Sequence, residues 1–79
     1  MKENAADAER IGKRIRAIRL EKGMSAKELS ERVGLGPDRL NQYERGVRKP
    51  KKDMLKKIAC CLNVSPSAIE ELAVMHLTI

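Results

Sequence analysis

The sequence predicts an all-α domain built from five short helices. Glycines, prolines and one asparagine interrupt the chain at short intervals. Between these interruptions, apolar residues recur at steps of three and four, which is the spacing of a helix with one buried face. A chain of 79 residues is long enough for one domain. Because Tyr43 is its only aromatic residue, the core must be aliphatic.

The first helix is predicted from about residue 6 to residue 22. Ile11, Ile15 and Ile18 follow one another at steps of four and three and mark its buried stripe. Gly23 can end this helix because glycine adopts a positive φ without steric cost.

The second and third helices are the most clearly specified part of the chain. Ser25 and Glu28 have the spacing of a capping box, in which the hydroxyl accepts from the first turn and the carboxylate reaches back to the cap. Gly34 ends the second helix after about two turns. Pro37 suits the first turn of the third helix because its missing N–H has no partner there, and Gly46 ends that helix. Two helices joined by so tight a turn must cross steeply.

A basic loop at residues 47–50 leads to a fourth helix, predicted at about residues 51–62. Asn63 can stop this helix in the left-handed conformation. Ser65 and Pro66 then open a fifth helix as its cap and its first residue. The inner face of the fourth helix is predicted to carry Leu55, Ile58, Ala59 and Leu62.

The two ends of the chain lack this pattern. We expect residues 1–5 to be a disordered N-terminus and residues 6–73 to form the domain. The apolar tail, residues 74–79, could extend the last helix or pair as a strand. Apolar residues that the core of one copy does not need lie near this end. They are the predicted dimer contact, and they comprise Leu72, Val74, Met75 and Leu77.

Positive charge is concentrated in one part of the chain. Residues 39–57 contain eight lysines and arginines against Glu44 and Asp53, a balance of +6 that equals the net charge of the whole chain. Such a concentration suits a polyanion, with nucleic-acid phosphates first and an anionic membrane surface second. A solvated basic surface remains an equal alternative on charge alone.

The sequence lacks the residue patterns that several classes of function require. Cys60 and Cys61 are adjacent, which disfavours an ordinary structural disulfide, and without a signal sequence they fit a reduced cytoplasmic protein. His76 stands alone, so we expect no metal site. No set of acid, base and nucleophile is visible. We therefore expect no enzyme activity, no cofactor, no small-molecule ligand and no membrane association.

Five short motifs, in order, make the chain resemble the lambda-repressor and Cro-like helix-turn-helix family of the xenobiotic-response-element type. They are SAKELS, GLGP, LNQYERG, VRKP and NVSP. The resemblance covers residues 11–72. It implies a compact five-helix, lambda-repressor-like DNA-binding domain with its helix-turn-helix at helices 2 and 3. It also implies a cytoplasmic, nucleoid-associated protein of a prokaryote or phage.

The resemblance makes the third helix the recognition helix, placed in the major groove of double-stranded DNA. Gln and Asn can bond adenine, Asp can accept from cytosine and Arg can bond guanine. The helix dipole would favour an acidic residue in the first turn without any DNA, and the amides could be solvated surface. The predicted base-reading residues are Pro37, Asp38, Arg39, Asn41 and Gln42.

Phosphate contacts are expected from backbone amides at helix N-termini and from the basic loop. The resemblance also implies an ion pair between Arg19 and Glu44 that locks the third helix to the first; an exposed pair would contribute only about 0–1 kcal/mol. Ala26 and Gly36 replace the polar residues common in the family, so side-chain contacts are fewer. The predicted phosphate-binding residues are Arg19, Ser25, Ala26, Lys27, Arg45, Arg48, Lys49 and Lys51.

Two functions from different classes follow. The first is a sequence-specific transcriptional regulator, expected to be a repressor that binds a palindromic operator as a homodimer. Its two recognition helices would then lie about 34 Å apart, in successive major grooves. The second is a protein-interaction module, such as an antitoxin or co-regulator, with secondary DNA binding. Only the apolar tail supports this alternative.

Overall fold

The computed structural model describes residues 5–70, and this part of the chain consists of five α-helices and their connections, without a strand. The predicted all-α, five-helix class is confirmed. The four residues of the predicted dimer contact lie outside the described residues. The helices are α1 (Ala5–Glu21), α2 (Ala26–Val33), α3 (Pro37–Glu44), α4 (Lys52–Leu62) and α5 (Pro66–Glu70).

The helix ends follow the predicted local signals with small differences. The Ser25 hydroxyl accepts from the Glu28 amide at 3.0 Å, and Gly34 ends α2 at a φ of 89°. The other half of the capping box is absent, because the Glu28 carboxylate accepts instead from Arg32 on the next turn at 3.4 Å. α1 includes Ala5, the first described residue, which lies before the predicted start and within the segment expected to be disordered.

The core is aliphatic and lies between α1, the α2–α3 pair and α4. Ile15, Leu29, Leu40 and Ile58 are completely buried, and Tyr43 is 4% exposed at the edge of the same cluster. The predicted inner face of α4 is confirmed, since all four of its residues are buried. The two helices of the motif are therefore anchored on their inner sides to α1 and α4.

α1 crosses the end of α3 so closely that the contact requires glycine. A Cβ on Gly12 would lie 2.2 Å from the carbonyl oxygen of Tyr43 and 2.7 Å from that of Glu44. Because both are backbone atoms, no side-chain rotation can relieve the clash. Just beyond α3, Gly46 has a φ of 79°, and a Cβ there would lie 2.8 Å from the Cα of Glu9.

A buried ion pair holds the same two helices together. Nε and Nη2 of Arg19 donate to the two carboxylate oxygens of Glu44 at 2.7 and 3.0 Å. Nη1 donates to the carbonyl oxygen of Met24 at 2.9 Å. The paired side chains are only 9% and 8% exposed. The hydrogen bond to Glu44 raises the pKa of Arg19 above its ordinary value, so the guanidinium stays charged. The predicted ion pair is confirmed, and it is buried rather than exposed.

α5, described over Pro66–Glu70, is bonded to α1 through two arginine side chains. Arg10 donates through Nη1 to the carbonyl oxygen of Glu70 at 2.7 Å, and Arg14 donates through Nε to that of Ala68 at 2.9 Å. Ile69 is completely buried beneath them and ties α5 to the core.

Replacing Gly12 by Ala should destabilise the domain although Ala favours helix by about 1 kcal/mol. The added methyl group meets backbone carbonyls and must push α1 away from α3, so we expect a net loss of about 2 kcal/mol. Urea unfolding followed by circular dichroism measures this loss. The exposed neighbour Lys13→Ala is the control and should change stability by less than about 0.5 kcal/mol. Equal stability of the two variants would contradict the close approach.

Replacing Glu44 by Ala should leave the Arg19 charge buried without its partner. We expect a loss of about 3 kcal/mol, which is a large part of the ~4–12 kcal/mol typical for this chain length. The double variant Arg19→Met with Glu44→Leu removes both charges and should recover most of the loss. Urea unfolding of the three proteins tests this, and a loss below about 1 kcal/mol for Glu44→Ala would show that the pair is weak.

Candidate nucleic-acid interface

α3 presents a polar face to solvent, opposite the apolar residues that hold it in place. Leu40 and Tyr43 are buried on its inner side. The outer side carries all five predicted base-reading residues. Gln42 is half-buried, and the exposed members are Pro37, Asp38, Arg39 and Asn41.

Two shallow clefts flank this face and bring together six of the predicted contact residues. One lies beside the turn between α2 and α3 and is lined by Asp38, Arg39, Gln42 and Arg48, together with the turn itself. The other opens toward α4 and includes Tyr43, Asp53 and Met54 in its wall. Its basic residues are Arg39, Arg48, Lys49 and Lys51. Arg39 and Arg48 therefore separate a mixed polar cleft from a strongly cationic one.

The basic loop is tied directly to the recognition helix. The amides of Val47 and Arg48 both donate to the carbonyl oxygen of Gln42, at 3.0 and 3.3 Å. The Gly46 amide donates to the carbonyl oxygen of Tyr43 at 3.1 Å, and its positive φ turns the chain into the loop. Because these bonds close the end of α3, the loop cations keep a defined position relative to its polar face.

The first turn of α2 carries three more of the predicted phosphate-binding residues. Ser25, Ala26 and Lys27 are exposed there. The Ser25 hydroxyl caps the Glu28 amide, while the earlier amides of the helix have no partner within it. Such amides and the helix dipole attract anions. α2 is connected rigidly to the turn, because the Leu35 amide donates to the carbonyl oxygen of Ser30 at 2.8 Å.

Two of the predicted phosphate-binding residues are held within the protein. Arg19 is 7% exposed, and all three of its nitrogens donate to protein oxygens. Lys49 is half-buried, and its Nζ donates to the Asp7 carboxylate at 2.8 Å. The other six predicted residues are exposed at the surface: Ser25, Ala26, Lys27, Arg45, Arg48 and Lys51. The DNA contacts of all eight stay predictions.

Asp7 is a charged member of this region that the sequence pattern did not reveal. Its carboxylate accepts from Lys49 in the loop and from Arg10 on its own helix. Hydrogen bonds from Lys49 first and from Arg10 second lower the pKa of Asp7 below its ordinary value of 3.8. The separation of 42 residues between Asp7 and Lys49 gives no local signal for this contact.

Among residues 5–70, no cluster of three or more histidine, cysteine, aspartate or glutamate side chains could hold a metal ion. No helix in the same range has the length and apolar character needed to cross a bilayer.

The chain is similar in sequence to several known proteins. ImmR of Bacillus subtilis, an HTH-type transcriptional regulator, is 38% identical over 55 residues, which are 70% of this chain and 43% of ImmR. SinR of the same organism, also an HTH-type transcriptional regulator, is 39% identical over 56 residues, which are 70% of this chain and 50% of SinR. The chain thus spans about half the length of these curated relatives.

One solved structure matches this chain over nearly the whole length of the solved protein. The restriction-modification controller protein C.AhdI of Aeromonas hydrophila superposes with a TM-score of 0.78 at 31% identity, covering 81% of this chain and 97% of C.AhdI. The model of the family described as "Helix-turn-helix" matches residues 15–69. These residues run from the middle of α1 into α5 and include the motif, the loop and the core beneath them. The predicted resemblance is confirmed, and the chain belongs to the lambda-repressor-like helix-turn-helix family.

Proposed function

We propose that this chain binds double-stranded DNA in a sequence-specific manner and regulates transcription, with α3 placed in the major groove. One observation carries the proposal. The exposed polar face of α3, which includes Arg39, lies between two clefts that share Arg39 and Arg48, and hydrogen bonds from the loop to Gln42 keep Arg48 beside it. The family and its regulator relatives support the same function.

In this arrangement, different groups position the DNA backbone and read the base sequence. Exposed Asn41 and half-buried Gln42 offer amide groups that can bond adenine edges, and Arg39 can reach a guanine or a phosphate. Arg48 and Lys51 sit where they can neutralise the backbone on the loop side. The amides of the first turn of α2 can also hold a backbone phosphate. If about six phosphates are neutralised per dimer, the logarithmic salt slope is near −5.

The proposal includes a homodimer on a palindromic operator, because one recognition helix reads only a few base pairs. The contact between the two copies is proposed at Leu72, Val74, Met75 and Leu77. We further propose that the protein acts as a repressor in the cytoplasm, associated with the nucleoid. Its role is non-enzymatic and needs no cofactor.

A second candidate is a protein-interaction module with secondary DNA binding. A structure titled as a complex of SinR with SinI matches this chain with a TM-score of 0.73 at 36% identity, covering 87% of this chain and 66% of the matched chain. That relative forms a complex with another protein. A stoichiometric protein partner, together with duplex binding no tighter than non-specific, would favour this candidate.

Base reading by α3 predicts that substitutions at Gln42 and at Arg48 have different effects on DNA binding. Selection of bound duplexes from a random pool should give a changed motif for Gln42→Ala, because that variant removes a group that can bond a base edge. Arg48→Ala should keep the motif and bind all sequences more weakly. Lys56→Ala, on the exposed face of α4, is the control and should match the wild type. Equal, sequence-independent weakening by both test variants would exclude base reading by Gln42.

The homodimer predicts a defined stoichiometry on the selected duplex. Sedimentation should show two protein chains per palindromic duplex and one chain per isolated half-site. Leu77→Glu should abolish dimerisation in the absence of DNA, because it places a charge in an apolar contact. The control Thr78→Glu adds the same charge at a neighbouring position outside the proposed contact. A wild-type monomer at every accessible concentration, with and without duplex, would overturn the dimer.

A further inference from the structure

An acidic residue of α1 is bonded to the basic loop that flanks the recognition helix. The Asp7 carboxylate accepts from Lys49 Nζ at 2.8 Å and from Arg10. The side chains of Asp7 and Lys49 are 30% and 29% exposed, so solvent and a large polyanion can reach them. Lys49 lies directly after Arg48, a residue of both clefts beside α3. The contact therefore places a negative charge at the edge of the surface proposed for DNA.

The charged residues around Asp7 are mainly cationic. It lies in a cavity between α1, the loop, the start of α4 and the end of α5. Glu70 is the other acidic residue of the cavity wall. The basic residues of that wall are Arg10, Arg48, Lys49, Lys51 and Lys52. Among these cations, Lys49 and Arg10 donate to Asp7, so the carboxylate balances part of the positive charge that the loop offers.

A phosphate and a carboxylate compete for the same ammonium group. Lysine carries one compact charge, and a carboxylate in contact with it lowers the attraction that a nearby phosphate experiences. It also lowers the number of counterions that DNA releases when the lysine approaches. We propose that Asp7 is an intramolecular competitor of DNA phosphate for Lys49 and so limits the affinity of the loop for DNA. This inference rests on the DNA-binding function proposed above.

A purely structural role for Asp7 predicts the opposite effect on DNA binding. If the ion pair only held the loop in place, its loss would loosen the loop and weaken DNA binding. Asp7→Asn separates the two roles, because the amide keeps the size of the side chain and an oxygen that can accept from Lys49, while the negative charge is removed. Lys49→Met tests the same contact from its other side.

Fluorescence anisotropy with the selected duplex, at a series of KCl concentrations, tests the competition. Asp7→Asn should bind several-fold more tightly than wild type at low salt, with a logarithmic salt slope steeper by about 1.8 for the proposed dimer, because one Lys49 is released in each copy and each adds about 0.9. Lys49→Met should leave the wild-type slope nearly unchanged, because Lys49 is already neutralised within the protein. The double variant should show no gain over Lys49→Met alone.

A matched control removes the same charge elsewhere on α1. Glu21→Gln lies about 21 Å along the helix from Asp7, is exposed and should not change the salt slope. Thermal unfolding at pH 7 establishes that each variant is folded. An unchanged or shallower slope for Asp7→Asn, or a gain that persists in the double variant, would overturn the competition while leaving specific DNA binding intact. Absence of duplex binding by every variant would overturn the proposed function and this inference with it.

The pH profile gives a second readout. The pKa of Asp7 lies below 3.8, so the carboxylate is ionised throughout the range from about pH 5 to 8. The affinity ratio of Asp7→Asn to wild type should therefore stay constant across that range. Because the pKa is lowered in the folded protein, the stability contributed by Asp7 is present above pH 3.8 and is lost as the pH falls further. A ratio that collapses between pH 5 and 8 would contradict the competition.

Discussion

The contact between α1 and the end of α3 is the constraint on which the rest of the domain depends. Gly12 lets two helix backbones approach so closely that not even a methyl group fits between them. The Arg19–Glu44 pair closes the same contact with two hydrogen bonds in a nearly dry environment. Gly46 extends the contact beyond α3 to the start of the loop. A shift of α1 would therefore displace the recognition helix and the loop together.

This contact matters because a reading surface must be rigid. A helix of eight residues gains little stability from its own backbone hydrogen bonds, so tertiary packing has to hold α3 in place. Leu40 and Tyr43 provide this packing on the inner side, and the hydrogen bonds from the loop to Gln42 close the C-terminal end. The polar face then projects from this scaffold, and few atoms of the polar face take part in holding α3 in place.

Charge in the domain has two distinct uses. Arg19 and Arg10 are cations that donate to oxygens of the protein itself and so fasten α1 to α3 and to α5. Arg48 and Lys51 are exposed and leave their charge available at the surface. Lys49 lies between these groups, since it belongs to the loop but is bonded to Asp7. Net charge thus overstates the charge available to a polyanion.

The order and ends of the helices were predictable because their causes are local. Ser25, Gly34 and Pro37 act through hydrogen bonds and backbone angles within one or two turns, and the apolar steps of three and four act along one helix. The family motifs added the roles of α3 and the Arg19–Glu44 pair. These signals are contained in the order of residues and need no tertiary contact to be recognised.

Contacts between distant parts of the chain were decided only by the tertiary structure. The need for glycine at position 12 arises from the carbonyls of α3, and the partner of Lys49 stands 42 residues away in α1. Glu28 likewise met the capping spacing but paired with Arg32. The sequence by itself determined the five helices and the residues available for recognition. The packing of α1 determined which of the cations stay free at the surface, because a side chain bonds whichever opposite charge the fold brings within reach.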